Sequence, residues 1–195
     1  MTSHVMVDIE TTGTRPDRHA ILQIAAVRFD PVKQTVCSQD MFKRSLWMPN
    51  TRHWDEETKK WWAGKPDVYA DIIAVVEDPK VVINDFIMWC AGDGEMSKSR
   101  FFWAKNAQFD YQFLASYFHD FEVSNPFSYR NVNDIKCFLR GKFFPNNLPE
   151  ISNFVEGTHD ALIDCISQID YLFKAINYDD ATVVNSVSTD AGDLL

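Results

Sequence analysis

Val5-Met6-Val7-Asp8-Ile9-Glu10-Thr11-Thr12-Gly13 reads as an apolar β-strand that ends at a glycine and carries two acids two residues apart. Successive side chains on a strand point to opposite faces, so Asp8 and Glu10 project from the same side. Two carboxylates on a buried strand repel each other and are costly to desolvate. A neutralising cation is expected beside them, and hard divalent ions prefer such oxygen ligands. The plainer reading of D-x-E is a strand whose polar edge faces solvent.

Working outward, Ile21–Phe29 and roughly Val36–Ser45 read as two more strands. The first turn spans Gly13 to Arg18, and Asp30-Pro31 makes the second break, which predicts an antiparallel meander. Asp55–Trp62 reads as a short helix with Trp61 and Trp62 on its apolar side. Asp78-Pro79 is a helix start, with Asp as cap and Pro at the first helical position. Val82, Ile83, Phe86, Ile87 and Cys90 then form a core-facing stripe. Phe101–Ala104 is a short buried strand, followed by helices over about Phe109–Tyr117 and Val132–Arg140. A last helix, from about Asp160 to Ile176, presents Ala161, Ile166, Ile169, Leu172, Phe173 and Ile176. A meander followed by alternating strands and helices implies a mixed sheet with helices packed on it.

The 195 residues suit one domain over 1–178, and the polar, aperiodic stretch 179–195 reads as an acidic tail. Cys37, Cys90, Cys137 and Cys165 include no C-x-x-C pair, so neither a zinc site nor a redox motif is indicated, and they read as reduced core residues of a cytosolic protein. No leader or membrane-spanning run is legible. The net charge of −9 argues weakly against binding nucleic acid by charge alone, although acids around a metal inflate that number.

Two further acidic clusters follow. Asn106-Ala107-Gln108-Phe109-Asp110 comes directly after a buried strand, which puts Asp110 in the first turn of a helix. The dipole favours an acid there by about 0.3–1 kcal/mol, so a helix-start role is a fair alternative. His159-Asp160-Ala161-Leu162-Ile163-Asp164 opens the last helix with Asp160 as cap. Positions 159 and 164 would differ by roughly 140° on an ideal helix. His159 is therefore expected on the preceding loop, with Asp164 fixed by the helix.

D-x-E on the first strand, N-x-x-x-D after a later strand and H-x-x-x-x-D opening the last helix resemble the three motifs of the DEDD, or DnaQ-like, 3′–5′ exonucleases. The histidine is similar to that of the His subgroup (DEDDh), and the Trp-Trp helix resembles small stand-alone exoribonuclease-like members of bacteria and phages. The resemblance implies a ribonuclease H-like α/β fold, its mixed sheet made of a three-stranded antiparallel meander plus parallel strands, with helices on both faces. It implies that Asp8, Glu10, Asp110 and Asp164 hold two Mg²⁺ or Mn²⁺ ions, Asp8 bridging them. His159 would act as general base, its pKa pushed up by acidic neighbours. The substrate implied is the 3′ end of single-stranded RNA or DNA, released as nucleoside 5′-monophosphates. The backbone N–H groups of Thr11, Thr12 and Gly13, together with Asn106, would meet the terminal nucleotide. Asp134 reads as an N-cap, not a fifth ligand. No appended binding domain is legible, which leaves a homodimer open. The competing classes are a non-catalytic nucleic-acid- or partner-binding module on the same fold and a metal-dependent phosphatase.

Overall fold

The computed structural model describes residues 4–92, 100–144 and 157–178. β1 (His4–Thr11), β2 (Ile21–Asp30) and β3 (Thr35–Ser45) form the antiparallel meander. α1 (Glu56–Ala63), α2 (Pro66–Ile73) and α3 (Pro79–Ala91) follow, then β4 (Phe101–Ala104) and α4 (Ala107–Asp120). β5 (Val132–Asp134), α5 (Ile135–Phe143) and α6 (Ala161–Asn177) close the described fold. The sheet order is β3-β2-β1-β4-β5, with β4 parallel to both β1 and β5.

Strand alternation sorts β1 between two cores. Val5, Val7 and Ile9 pack with Phe86 of α3 and Phe113 and Phe118 of α4 on one face. Met6 packs with Ala25 of β2 and Ile169 and Leu172 of α6 on the other. Because both faces are covered, β2 is buried from Ile21 to Phe29, as its nearly unbroken apolar run suggests. Truncating a fully buried side chain such as Leu172 would cost about 2–5 kcal/mol.

Asp8 and Glu10 continue the Met6 row. β4 pairs only with His4–Met6, so the acidic end of β1 runs past its parallel neighbour. The direction of pairing also changes at β1, antiparallel on one side and parallel on the other. A cavity lined by Asp8, Ile9 and Glu10 opens at this end of β1.

Several expectations need correction. Val132–Asp134 is a strand and not the start of a helix, because the free edge of β4 recruits it into the sheet. Asp134 does cap α5: it accepts from the Cys137 amide at 2.8 Å and from the Ala107 amide at 2.7 Å, tying the starts of α4 and α5 together. Helix α2 adds to the elements expected from the sequence, with Pro66 standing at its first turn. On α6 the buried stripe is Ala161, Cys165, Ile169, Leu172 and Ala175, whereas Ile166 is exposed. Trp62 is buried but Trp61 is 43 % exposed. Cys90 and Cys165 are core thiols, while Cys37 and Cys137 are at the surface. No helix among the described residues is long and apolar enough to cross a membrane. The acidic tail over 179–195 lies outside the described residues.

Candidate active site

Three elements bring the acids together: β1 carries Asp8 and Glu10, the first turn of α4 carries Asp110, and α6 carries Asp164. All four, with His159 and Asn106, line one cavity of about 240 Å³.

Asp8 stands opposite Ala25 of β2. Its Oδ1 accepts from Nε2 of Gln168 at 2.8 Å. Burial raises the Asp8 pKa to about 7, with Asp164 adding to the effect and Gln168 and Lys105 opposing it. Glu10 is 8 % exposed, and among the described residues nothing donates a hydrogen bond to its carboxylate. Burial, then Asp8, Asp164 and Asp110, push its pKa up to about 10. Asp110 is buried and accepts from the Ile9 amide; burial and Asp8 hold its carboxyl well above the usual range.

Asp164 shapes the loop before its own helix. Its Oδ1 accepts from the Thr158 amide and hydroxyl at 3.1 and 2.9 Å, and its Oδ2 accepts from the His159 amide at 3.3 Å. Those bonds hold His159 at a φ of +58°, a left-handed conformation that is unfavourable for a non-glycine residue. His159 is therefore outside the helix, as the angular separation from Asp164 requires. Its ring meets Trp61 edge-on, with centroids 4.5 Å apart, and Lys65 lies over the same Trp61 at 4.6 Å. The expectation of a raised pKa fails here. Burial lowers it, Lys65 lowers it further, and Asp164 only partly offsets the two.

Donor atoms of Glu10, His159 and Asp164 all lie within 4.8 Å of one another. The donor set fits a divalent cation: buried, mutually repelling carboxylates, one of them without a hydrogen bond, with an imidazole beside them.

The flanking residues divide. Asn106 is exposed at the cavity rim. Thr11 lines an adjoining cavity of about 460 Å³, with Trp61, Trp62 and Phe109 also in its wall. Thr12 is fully buried: its amide donates to Ala20 O at 2.8 Å, its hydroxyl donates to His53 O at 2.9 Å, and that hydroxyl accepts from the Ala20 amide. Gly13 is buried so tightly that an added Cβ would lie 2.2 Å from Nδ1 of His19. Thr12 and Gly13 thus shape the turn after β1, and the expected nucleotide contact by the Thr12 amide is corrected.

Sequence reasoning missed Gln168. It is 4 % exposed and bridges Asp8 to the chain after β4, its Oε1 accepting from the Lys105 amide at 3.1 Å. Its place one helical turn after Asp164 puts the two side chains on one face and was the available signal.

With this geometry established, a family model described as a 3′-5′ exoribonuclease Rv2179c-like domain matches residues 3–176. The 3′-5′ DNA exonuclease Cap18 of Escherichia coli is 28 % identical over 187 residues, covering 89 % of this chain and 90 % of Cap18. Among solved structures, cell-death related nuclease 4 (CRN-4) superposes with a TM-score of 0.66 at 18 % identity, covering 89 % of this chain and 63 % of that one. Escherichia coli Exonuclease I in complex with a dT13 oligonucleotide gives 0.66 at 16 % identity, covering 95 % of this chain and 43 % of that one. This chain thus spans less than half of Exonuclease I. Those similarities of shape establish the ribonuclease H-like fold.

Proposed function

Since this chain belongs to the 3′-5′ exoribonuclease Rv2179c-like family, and so to the DnaQ-like, divalent-metal-dependent 3′–5′ exonucleases acting on nucleic acid, we propose a specific division of labour among its residues. Asp8, Glu10, Asp110 and Asp164 hold two Mg²⁺ or Mn²⁺ ions, and His159 is the general base. The substrate is the 3′ end of single-stranded RNA or DNA, and the products are nucleoside 5′-monophosphates. The observation that carries this reading is the convergence of all five side chains on one cavity, from β1, α4, α6 and the loop before α6.

Bound divalent cations would lower the pKa of a water and offset charge on the departing 3′ oxygen. The chain's own part is positional. Gln168 holds one oxygen of Asp8 and so sets the orientation of the carboxylate. Asp164 fixes the His159 backbone, and the lowered imidazole pKa keeps the ring neutral near pH 7, ready to accept a proton at a ring nitrogen. Asn106 at the rim, and Thr11 with the exposed ring of Trp61 in the adjoining cavity, are positioned to meet the terminal nucleotide. Four free thiols support a cytoplasmic setting, in a bacterial cell or phage-infected host.

The test is incubation with 3′-labelled and 5′-labelled RNA and DNA oligonucleotides in Mg²⁺ or Mn²⁺. Stepwise release of mononucleotides from the 3′ label, abolished by EDTA, is the expected result. Release from the 5′ end first, or full activity in excess chelator, would overturn it. Sedimentation of the same preparation tests for a homodimer.

A further inference from the structure

Cross-strand pairing lays two rows of side chains over the face of the sheet that α6 covers. One row is Asp8, Ala25 and Lys43; the other is Glu10, Gln23 and Ser45. The acids of β1 head both rows, and two contacts tie the rest to the start of α6. Gln23, 3 % exposed, accepts from the Ala161 amide at 3.2 Å, and Lys43 Nζ meets Oδ2 of the cap Asp160 at 2.6 Å. Ser45 Oγ accepts from Nε2 of Gln23 at 3.1 Å, which turns the amide oxygen of Gln23 toward the helix. Asp160 and Ala161 are the two residues directly after His159.

We propose that Gln23 and Lys43 are positioning residues for His159: they seat the first residues of α6 on β2 and β3 and so fix where the imidazole stands beside Glu10. The consequence for turnover rests on the exonuclease reading above; the seating of His159 does not.

Three observations support it. First, the helix starts without Lys43. Asp160 Oδ1 accepts from the Leu162 and Ile163 amides at 3.0 and 3.2 Å, so the cap is complete within α6. Lys43 holds the other carboxylate oxygen, and that bond adds nothing to the cap except its place over β3.

Second, His159 borders two cavities. One holds the acids; the other, of about 220 Å³, is lined by Gln23, Lys43, Thr158, His159 and Asp160 among others. Trp61 packs against the ring, but with space on both counts it is directed polar contacts that hold the loop. Neither Gln23 nor Lys43 lines the cavity of the acids, so neither reaches the reacting atoms itself.

Third, the expected effects on stability and on turnover differ in size. The Lys43 and Asp160 side chains are 37 % and 30 % exposed, and a pair so open to solvent contributes little to stability. Misplacing a catalytic group by about an ångström, in contrast, can cost about 10²-fold in rate.

The test compares Lys43→Met, Lys43→Arg and Gln23→Met in the full-length protein by turnover, by thermal melting and by the nuclear Overhauser contact between the His159 and Trp61 rings, whose centroids lie 4.5 Å apart. Lys43→Met should melt with the wild type, lose that ring contact, and lower kcat by about 10–100-fold at unchanged KM. Lys43→Arg keeps the ion pair and should restore both ring contact and kcat. Gln23→Met should behave as Lys43→Met does, at a lower melting temperature; if it does not fold, Lys43→Met decides alone. In a His159→Ala background Lys43→Met should cause no further loss, because the group it positions is gone. An unchanged ring contact in Lys43→Met, or an additive loss in the His159→Ala background, would overturn the proposal. Failure of the wild type to cleave any oligonucleotide would overturn the functional reading instead, and the ring contact would still decide the seating of His159.

Discussion

If the four acids are metal ligands, metal binding must expel protons, and the structure says roughly how many. Ordinary carboxyl groups titrate near 4. Here Asp8 is raised to about 7 and Glu10 to about 10, both chiefly by burial. At pH 7 the metal-free protein therefore carries a proton on Glu10 and about half a proton on Asp8. A ligating carboxylate must be ionised, so binding releases roughly 1.5 protons from these two groups alone. Affinity should then rise at least about thirtyfold per pH unit around neutrality, because Asp110, also held above the usual range, adds to the release. The sign for stability is opposite. Carboxyl groups raised in the folded state bind more protons there than in the unfolded chain. The metal-free protein should thus lose stability as pH rises from about 4 through 7 and on towards 10. Calorimetric titration with Mg²⁺ or Mn²⁺ in two buffers of different ionisation enthalpy gives the proton count, and thermal melts across the same pH range give the stability. Glu10→Gln should lower the release by about one proton. Release below about 0.5 proton, with affinity flat between about pH 6 and pH 8, would refute the electrostatic account of the site.

Asp8→Asn and Asp110→Ala should each abolish nucleotide release yet leave a metal-free protein at least as stable as the wild type, since one buried carboxyl that is costly to ionise among its neighbours is gone. At a free metal concentration ten times the dissociation constant, linkage adds about 1.4 kcal/mol, or about 3–6 °C in melting temperature, to the wild type alone; an equal rise in the mutants would contradict the ligand assignment. His159→Ala should retain Mg²⁺ or Mn²⁺ binding while turnover falls about 10²–10⁴-fold. Because burial and Lys65 lower the imidazole pKa, its limb in the pH–rate profile should lie below the ordinary 6.5, and Lys65→Ala should move that limb upward; near-wild-type turnover in His159→Ala would make it a surface residue only. Gln168→Met preserves bulk but removes the bond to Asp8, so metal affinity should drop about 10–100-fold in a folded protein. Unchanged affinity would leave Gln168 a packing residue.

Periodicity makes much of this architecture legible. The meander, the Pro79 helix and the five convergent residues follow from alternation, caps and ordered motifs, which are local or nearly local signals. The rest is set by tertiary context. Val132–Asp134 is a strand only because β4 offers an edge, and a three-residue strand carries no periodicity of its own. The direction of the His159 shift is hidden in the sequence for a similar reason. Lys65 belongs to no motif and stands just after α1, far from His159 along the chain, yet it acts on the ring in space. Burial, the larger cause, outweighs the acids that flank the histidine in sequence. Thr12 and Gly13 follow the acids directly and so look free to meet a ligand. In three dimensions the turn folds inward, and His19, His53 and Ala20 use them.

The site draws on both cores at once. Asp110 stands on a helix packed against one face of the sheet, Asp164 on a helix packed against the other, and Asp8 and Glu10 on the strand between them. Neither layer alone can assemble the cavity, so a partly unfolded molecule that keeps only one of them cannot cut. The order of synthesis has the same effect. The first two acids leave the ribosome early, but His159 and Asp164 emerge only with α6. A nascent chain thus lacks two of the five cavity residues until α6 has docked. Cleavage is tied to completion of the fold.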